Sequence, residues 1–264
     1  MPLSDYVEEA FAHDGRERRV FRRGTGPAVV VIAEIPGITP AVVAFADRVV
    51  GMGCTAVLPH LFGTPGGAMS VPNTLRSLVP ACVSREFTIM ATGRTSPVVE
   101  WLRALGRHEH ERCGGPGIGV VGMCFTGGFA LGMAVDQRVL APVASQPSLP
   151  FALTAAQKRD VGLSDEDLAA VAARTPDAGV LGLRFTCDRL CPDERFARLG
   201  DELGDAFVGV EIDSSPGNPH GIPRNAHSVL TEHLVDEPGH PTRAALDRVL
   251  DLLRTRLVGP AEPG

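Results

Sequence analysis

Short apolar runs alternate along the chain with longer segments in which apolar residues recur every three or four positions. The continuous runs are typical of strands buried on both faces, and the spaced segments are typical of amphipathic helices. Residues 17–24 (ERRVFRRG), in which two apolar residues are flanked by charged ones, predict a short edge strand. Continuous runs predict six further strands, at residues 28–34, 54–60, 118–123, 138–147, 178–188 and 206–214.

The segments with helical spacing fall between these strands. Ser164 precedes an acidic first turn and predicts a helix N-terminus, and Pro241 predicts another. The alternation indicates an α/β protein with a mostly parallel sheet and helices on both faces. We see no repeat or linker, so we expect one domain over residues 1–264, with a core at about 20–258 and a lid-like insertion at 148–177. The predicted helices lie at residues 41–53, 73–82, 96–108, 125–136, 164–174, 192–204 and 241–257.

Composition narrows the class of protein. The 264 residues are 44% hydrophobic and 21% charged, which is typical of a globular domain. A net charge of −6 with dispersed basic residues argues against nucleic acid or an anionic membrane as a partner. The chain begins without a signal-peptide pattern, and its six cysteines are scattered, so we expect reduced thiols in the cytoplasm.

Residues 115–128, GPGIGVVGMCFTGG, match two patterns that predict different chemistry. Gly117, Gly119 and Gly122 spell the G-x-G-x-x-G of dinucleotide-binding proteins, which needs a strand before its first glycine. Here the polar segment RHEHERCGGP comes first, and the strand lies inside the motif. The context favours the second pattern, a sharp turn between strand and helix that exposes a nucleophile, Cys124. Thr126 stands where such a turn usually has glycine.

A nucleophilic cysteine needs a base, and the base needs an acid to orient it. On folds with such a turn, the three residues follow along the chain in the order nucleophile, acid, histidine. Asp188 ends the predicted strand segment 178–188, just after its apolar run AGVLGLRF, where the acid is expected. Four candidate bases stand between the last predicted strand and the last helix: His220, His227, His233 and His240.

Four segments together, AEIPG, GMCFTGG, CDRLCP and AHSVLT, resemble the dienelactone hydrolase family of α/β-hydrolases. The resemblance extends over about residues 28–257 and implies an α/β-hydrolase fold. It implies that Cys124 is the nucleophile, Asp188 the acid and His227 the base. It also implies that Glu34 holds the resting thiol and helps to form the thiolate. The oxyanion hole implied by the resemblance consists of two backbone N–H groups, those of Ile35 and Phe125.

The resemblance implies hydrolysis of an ester or a lactone, without a cofactor. Family members that cleave dienelactone bind the substrate carboxylate with arginines, but one of these positions is Thr231 here. Arg85 is the candidate for the other arginine, and His60 is a candidate for the pocket mouth. A threonine cannot replace a bidentate arginine, so the identity of the ester stays open.

Three alternatives remain open at this point: a general carboxylesterase, a thioesterase, and a non-catalytic α/β-hydrolase-like binding protein. Cys187 and Cys191 form C-x₃-C, but no second pair at ligand spacing completes a metal site. We expect a small-molecule substrate, no metal, no nucleic-acid or membrane partner, and a monomer or homodimer.

Overall fold

The computed structural model, which describes residues 2–70, 74, 77, 93–149, 153–174 and 179–259, is built around a twisted sheet. Eight strands form this sheet among the described residues, in the order β1-β2-β4-β3-β5-β6-β7-β8. The strands are β1 (Val7–His13), β2 (Arg16–Arg23), β3 (Ala28–Ile32), β4 (Thr55–Pro59), β5 (Ile118–Met123), β6 (Val139–Ser145), β7 (Val180–Phe185) and β8 (Phe207–Ile212).

The sheet is parallel from β4 across to β8, and β1 and β2 join it antiparallel. The prediction of a mostly parallel sheet is therefore confirmed. The expectation that residues 17–24 form an edge strand is wrong in one respect, because β2 lies between β1 and β4. The true edge is β1, whose residues are mostly exposed and lack the apolar run that would have predicted it.

Seven α-helices are described and cover both faces of the sheet. The side chains of β3 alternate between these faces, because successive residues of a strand point in opposite directions. Val30 and Ile32 belong to one apolar cluster, whereas Val29 and Val31 belong to the other. The helices are α1 (Pro40–Gly51), α2 (Val98–Cys113), α3 (Gly127–Met133), α4 (Ala155–Arg159), α5 (Asp165–Ala172), α6 (Asp193–Leu203) and α7 (Pro241–Leu257).

Local signals explain where several helices begin. The Thr39 hydroxyl accepts a hydrogen bond from the Val42 N–H at the start of α1, and Ser164 does the same for Asp167 in α5. Helix α7 begins at Pro241, as predicted. Helix α4 was not predicted, and the helix expected at residues 73–82 lies outside the described residues.

The connection after β6 is packed onto the domain over residues 153–174. Val161, Leu163 and Leu168 are buried in the same cluster as Val30. Asp160 is also buried, and its carboxylate accepts hydrogen bonds from the N–H groups of Gly93 (3.1 Å) and Gly162 (2.9 Å). This part of the connection is thus held by core contacts, while a lid-like role for residues 148–177 remains a prediction. No described helix combines the length and apolar character needed to cross a bilayer.

Candidate active site

The predicted site residues meet at the carboxyl-terminal edge of the parallel strands. Glu34, Cys124 and Asp188 follow β3, β5 and β7, and His227 lies in the loop between β8 and α7. This edge is where open α/β sheets bind ligands. A mostly apolar cavity of about 290 Å³ opens there. Its described lining comprises Glu34, Ile35, Met69, Thr74, Cys124, Phe125, Ser148, Leu149, Leu190, His227 and Ser228.

Cys124 occupies a tight turn between β5 and α3. Its φ of 59° lies in the left-handed region, which costs a residue with a side chain about 1–2 kcal/mol. The turn requires glycine at position 122, because a Cβ atom there would lie 2.2 Å from the carbonyl oxygen of Thr126. The backbone therefore has the geometry of a nucleophile elbow, in which strain aims the side chain out of the turn.

Thr126, the departure from the usual glycine, fixes this turn to the sheet. Its side chain is fully buried, and its hydroxyl accepts a hydrogen bond from the Met123 N–H (2.9 Å). The same hydroxyl lies 2.8 Å from the carbonyl oxygen of Ile32 and 2.7 Å from that of Met123, so its single proton has two acceptors within reach. Threonine thus has a structural role at this position, because its hydroxyl joins the turn to the end of β3.

The remaining glycines of the G-x-G-x-x-G pattern are explained by close packing at and just before β5: a Cβ atom on Gly117 would lie 2.5 Å from the carbonyl oxygen of Arg138. A Cβ atom on Gly119 would lie 2.5 Å from Leu253 of α7 and 3.2 Å from Val29 of β3. The strand lies within the motif, as expected, and the helix follows only after Cys124. The described geometry therefore provides no glycine-rich turn between a strand and a helix for a pyrophosphate.

Asp188 and His227 form a short hydrogen bond, with 2.6 Å between Asp188 Oδ2 and His227 Nδ1. Asp188 is only 6% exposed, and its Oδ1 accepts a second hydrogen bond from the Leu190 N–H at 2.9 Å. It does not cap the following helix, since α6 begins after Pro192 without a side-chain cap. Both carboxylate oxygens are thus engaged, which fixes the carboxylate against the imidazole.

The imidazole of His227 is poised to hold a proton. Burial opposes its charge, but the charge of a thiolate at Cys124 and the hydrogen bond to Asp188 outweigh burial and raise the pKa of His227 well above its usual value. The approach of the Cys124 sulfur contributes to the same shift. Its Nε2 atom is nevertheless buried without a well-aligned hydrogen bond among the described residues. The sulfur therefore lies close to Nε2 but is not aligned with it.

His233 anchors the loop that carries His227. Its Nδ1 accepts hydrogen bonds from the N–H groups of His227 (3.4 Å) and Ser228 (3.2 Å), so it serves as a neutral acceptor. Burial is the main cause that lowers the pKa of His233, and the positive charge of His227 adds to it. Of the other two candidate bases, His220 is exposed and His240 caps α7 through its ring nitrogen. Only His227 contacts Asp188 among the four.

The Cys124 thiol forms its hydrogen bond with Ser148, which sequence reasoning did not identify. The distance between Cys124 Sγ and Ser148 Oγ is 3.0 Å. Ser148 follows β6 by three positions, within SQPSLP, and its own N–H donates to the Cys124 carbonyl at 3.1 Å. The sequence did offer one signal for Ser148, since it follows β6, a parallel strand next to β5, and the loops after such strands converge on the site.

Glu34 is buried beside the cavity with an exposed fraction of 2%, but its carboxylate is occupied by two hydroxyl groups. Ser228 donates to Oε2 at 2.6 Å, and Thr231 donates to Oε1. The resemblance assigns the resting thiol to Glu34, whereas the described hydrogen bond of that thiol goes to Ser148. Thr231, which replaces an arginine of the family, is therefore directed inward onto Glu34.

The other predicted residues divide into three groups. Ile35 and Phe125 both line the cavity beside Cys124, as an oxyanion hole requires. His60 does not belong to the described lining; its ring bonds the Gly63 carbonyl (2.9 Å) and lies 3.3 Å from Arg19. Arg85 lies outside the described residues.

A second cavity of about 370 Å³ opens beside His227 and shares Leu190 with the first. Its lining includes the guanidinium groups of Arg189 and Arg224, which have no ion pair within the described part of the chain. Asp188, the described acid in this lining, is already bound to His227. This second cavity thus carries positive charge. Within the described residues, no cluster of three or more His, Cys, Asp or Glu is arranged to bind a metal ion.

Comparisons with known proteins agree with the fold described above. Curated proteins gave no match. Among solved structures, the chain is similar to a protein of Klebsiella pneumoniae subsp. pneumoniae described as a dienelactone hydrolase, with TM-score 0.62 and 16% identity over 94% of this chain and 97% of that one. It is also similar to the α/β-hydrolase GrgF from Penicillium sp. sh18, with TM-score 0.61 and 14% identity over 96% and 99% of the two chains.

A third similar structure is P91 from metagenomic libraries, described as a dienelactone hydrolase-like promiscuous phosphotriesterase. It gives TM-score 0.61 and 15% identity over 96% of this chain and 98% of that one. At such identities the similarity establishes the α/β-hydrolase fold. The sequence profile of the dienelactone hydrolase family matches residues 19–257, which is most of the chain. The protein is therefore an α/β-hydrolase that belongs to the dienelactone hydrolase family.

Proposed function

We propose that the protein hydrolyses a carboxylic ester or lactone through Cys124, His227 and Asp188. The observation that carries this proposal is the 2.6 Å hydrogen bond between Asp188 and His227, beside a cysteine held at a strained turn. A binding protein has no use for a buried acid that orients an imidazole next to a thiol. Both His227 and Cys124 line the same apolar cavity, so a substrate there can reach the two groups together.

In the first half of the reaction, the Cys124 thiol gives its proton to His227 Nε2, and the thiolate attacks the carbonyl carbon. The negative charge that develops on the carbonyl oxygen is stabilised by the backbone N–H groups of Ile35 and Phe125. Loss of one such donor typically costs about 10²–10³ in rate. The tetrahedral intermediate then expels the alkoxide, which takes the proton from His227 and leaves a thioester on Cys124.

In the second half, water replaces the alcohol. His227 accepts a proton from the water as its oxygen attacks the thioester carbonyl, and the same proton returns to the leaving thiolate. Asp188 stays ionised and keeps Nδ1 protonated, so that Nε2 can act first as base and then as acid. In a lactone the alcohol and the acid are parts of one molecule, and the chemistry is unchanged.

The cavity favours a small acyl group with an apolar surface, because its wall is mostly carbon and its volume is about 290 Å³. With Thr231 bound to Glu34, the family position for a carboxylate-binding arginine offers no positive charge. Arg189 and Arg224 supply such charge in the neighbouring cavity instead. The substrate panel should therefore pair neutral esters with esters that carry a carboxylate.

The test is a comparison of initial rates for wild type, Cys124→Ala and Cys113→Ala on small esters, thioesters and lactones, including a dienelactone. Cys113 is a matched control, since it is also a partly buried free thiol but lies at the end of α2, away from the cavity. We expect Cys124→Ala to lose activity by orders of magnitude and Cys113→Ala to retain it. Full activity in Cys124→Ala would refute the nucleophile. A panel preference for thioesters would favour a thioesterase, and inertness of the folded wild type on every class would favour a binding protein.

A further inference from the structure

Ser148 contacts the sulfur of Cys124 with an otherwise uncommitted hydroxyl. Its Oγ lies 3.0 Å from Sγ, and this is the hydroxyl's sole hydrogen bond within the described residues. The residue is only 5% exposed and borders the cavity beside Cys124. Its backbone N–H is bound to the Cys124 carbonyl at 3.1 Å. Side chain and backbone of Ser148 are thus both directed at the cysteine.

Hydrogen-bond satisfaction decides which of the two groups donates. If the thiol donated to Ser148 Oγ, the serine proton would remain buried without an acceptor, which is costly. If the serine donates, its proton is satisfied by sulfur, and the weakly donating thiol proton stays free to move to His227. The sulfur becomes a much better acceptor once it is a thiolate, because hydrogen bonds to charged groups are stronger.

We propose that Ser148 is a further catalytic residue, whose hydroxyl donates a hydrogen bond to Cys124 Sγ and stabilises the thiolate after its proton has passed to His227. This catalytic role of Ser148 rests on the proposed function, because it requires Cys124 to be the nucleophile. Ser148 keeps its own proton throughout and forms no covalent bond. It performs the part that the family resemblance gives to Glu34, whose two oxygens are taken by Ser228 and Thr231.

The backbone next to Ser148 is held in place by Arg195, a positioning residue. This guanidinium is only 1% exposed and donates to the carbonyl oxygens of Pro147 (3.1 Å) and Leu190 (2.7 Å). It also donates to two carbonyl oxygens of the connection after β6, those of Gln157 and Asp160. Arg195 thus joins the peptide before Ser148 to the loop that follows Asp188.

A strained residue also lies on this segment. Gln146 has a φ of 38°, and its backbone N–H is bound to the Leu183 carbonyl at 2.6 Å. Its side-chain oxygen accepts from the Val229 N–H, two residues after His227, at 3.3 Å. Strained backbone of this kind persists only where the surroundings fix it firmly. The position of the Ser148 hydroxyl is therefore determined by contacts with both neighbouring loops.

Other ionisable groups lie near Cys124, and their protonation must stay constant in any test. Groups from several elements face or couple to Cys124: Glu34 after β3, Asp188 and Cys191 after β7, Arg195 on α6 and His227 before α7. Substituting Ser148 removes a hydroxyl and alters none of these charges. A change in the thiol pKa after that substitution therefore reports the hydrogen bond.

The experiment measures the rate of Cys124 alkylation by iodoacetamide as a function of pH, by mass spectrometry of the Cys124 peptide and without substrate. In Ser148→Ala we expect the alkylation midpoint to rise by about one to two pH units, the worth of a hydrogen bond to a charged group. Ser148→Thr retains a hydroxyl, so its alkylation midpoint should remain within about half a pH unit of wild type, a small fraction of the shift expected for Ser148→Ala.

Two further variants separate the hydrogen bond from general loosening. Ser164→Ala removes the N-cap of α5, away from the thiol, and should leave the midpoint unchanged. Arg195→Lys keeps the charge but cannot reach all four carbonyls, so it should raise the midpoint by less than Ser148→Ala. This variant also serves as the test if Ser148→Ala does not fold, which circular dichroism will show.

An unchanged midpoint in Ser148→Ala would overturn the proposal, and so would an unchanged midpoint in Arg195→Lys if only that variant folds. A lower midpoint in Ser148→Ala would also overturn it, because the serine would then accept the thiol proton. An equal shift in Ser148→Thr would show that the hydroxyl is not responsible. Since alkylation requires no turnover, these results are independent of the ester panel that tests the function itself.

Discussion

Replacing Asp188 with asparagine tests the acid of the proposed mechanism with a minimal change in shape. The carboxylate accepts from two donors, the His227 Nδ1–H at 2.6 Å and the Leu190 N–H at 2.9 Å. An asparagine has a single oxygen with which to accept. If that oxygen keeps the Leu190 N–H, the amide NH₂ faces His227 Nδ1 and must find an acceptor there. The imidazole proton then moves to Nε2, which can no longer take the proton of Cys124.

The magnitude follows from these contacts. Loss of a charge-assisted hydrogen bond costs about 1.5–3 kcal/mol, which alone corresponds to roughly 10–150-fold in rate. The wrong tautomer adds a larger penalty, because the base is absent from most molecules; the same exchange in a serine protease lowers kcat by about 10⁴. We therefore expect Asp188→Asn to lower kcat by about 10³ or more, with little change in the binding of substrate.

The assay is steady-state hydrolysis of the best ester of the panel, with the fold checked by thermal unfolding. Asp201→Asn is the matched control, since Asp201 lies on α6, its side chain is 68% exposed and its ion pair is with the exposed Arg159. It should retain kcat within a factor of about two, as expected for a surface change. A folded Asp188→Asn enzyme with kcat within tenfold of wild type would refute the orienting role of Asp188.

Two further predictions concern the pKa of His227 and the stability of the elbow. Burial lowers the pKa of His227, and the charge of Cys124 is the largest influence that raises it. Cys124→Ala should therefore lower the pKa of His227. An NMR titration of the imidazole that shows no decrease would contradict this prediction. Because the folded-state pKa is raised, protonation of His227 stabilises the fold fully below about pH 6.5, and this stabilisation is lost as the pH rises through the raised pKa. Cys124→Ala should weaken this dependence of stability on pH. Thr126→Val should lower the free energy of unfolding by about 1–3 kcal/mol, because it leaves the buried Met123 N–H without its hydroxyl acceptor and removes the hydroxyl's own hydrogen bond to the Ile32 or Met123 carbonyl, while Thr126→Ser should stay close to wild type. Equal urea midpoints for Thr126→Val and wild type would contradict the proposed link between the turn and β3.

The order of strands and helices could be predicted wherever the sheet is buried on both faces. Strand β5 was predicted to the residue, because an uninterrupted apolar run can only be a strand between two helical layers. Strand β1 was missed for the opposite reason. It lies at the edge, and its sequence VEEAFAH buries none of its residues fully. The antiparallel pairing of β2 between β1 and β4 likewise depends on partners that local sequence does not specify.

The places of Cys124, Asp188 and His227 could be predicted because strand ends in a parallel sheet converge on one edge. Ser148 could not, because its approach to the thiol depends on the backbone turn at Gln146 and on hydrogen bonds from Arg195. These contacts join residues that are far apart in the sequence. Thr231 was recognised only as a missing arginine. Its hydrogen bond to Glu34 required the three-dimensional structure, since 197 positions separate the two residues.

At position 124 the left-handed backbone favours glycine, whereas the proposed activity requires cysteine, so stability and activity make opposite demands on this residue. Glycine adopts a φ of 59° without the strain of about 1–2 kcal/mol that a residue with a side chain incurs there, so on backbone grounds it is the residue that would relieve the turn. The same exchange would delete the proposed nucleophile. Selection for thermal stability alone would therefore act against the proposed nucleophile at position 124. Engineering for heat resistance is better directed at the helical layers than at this turn.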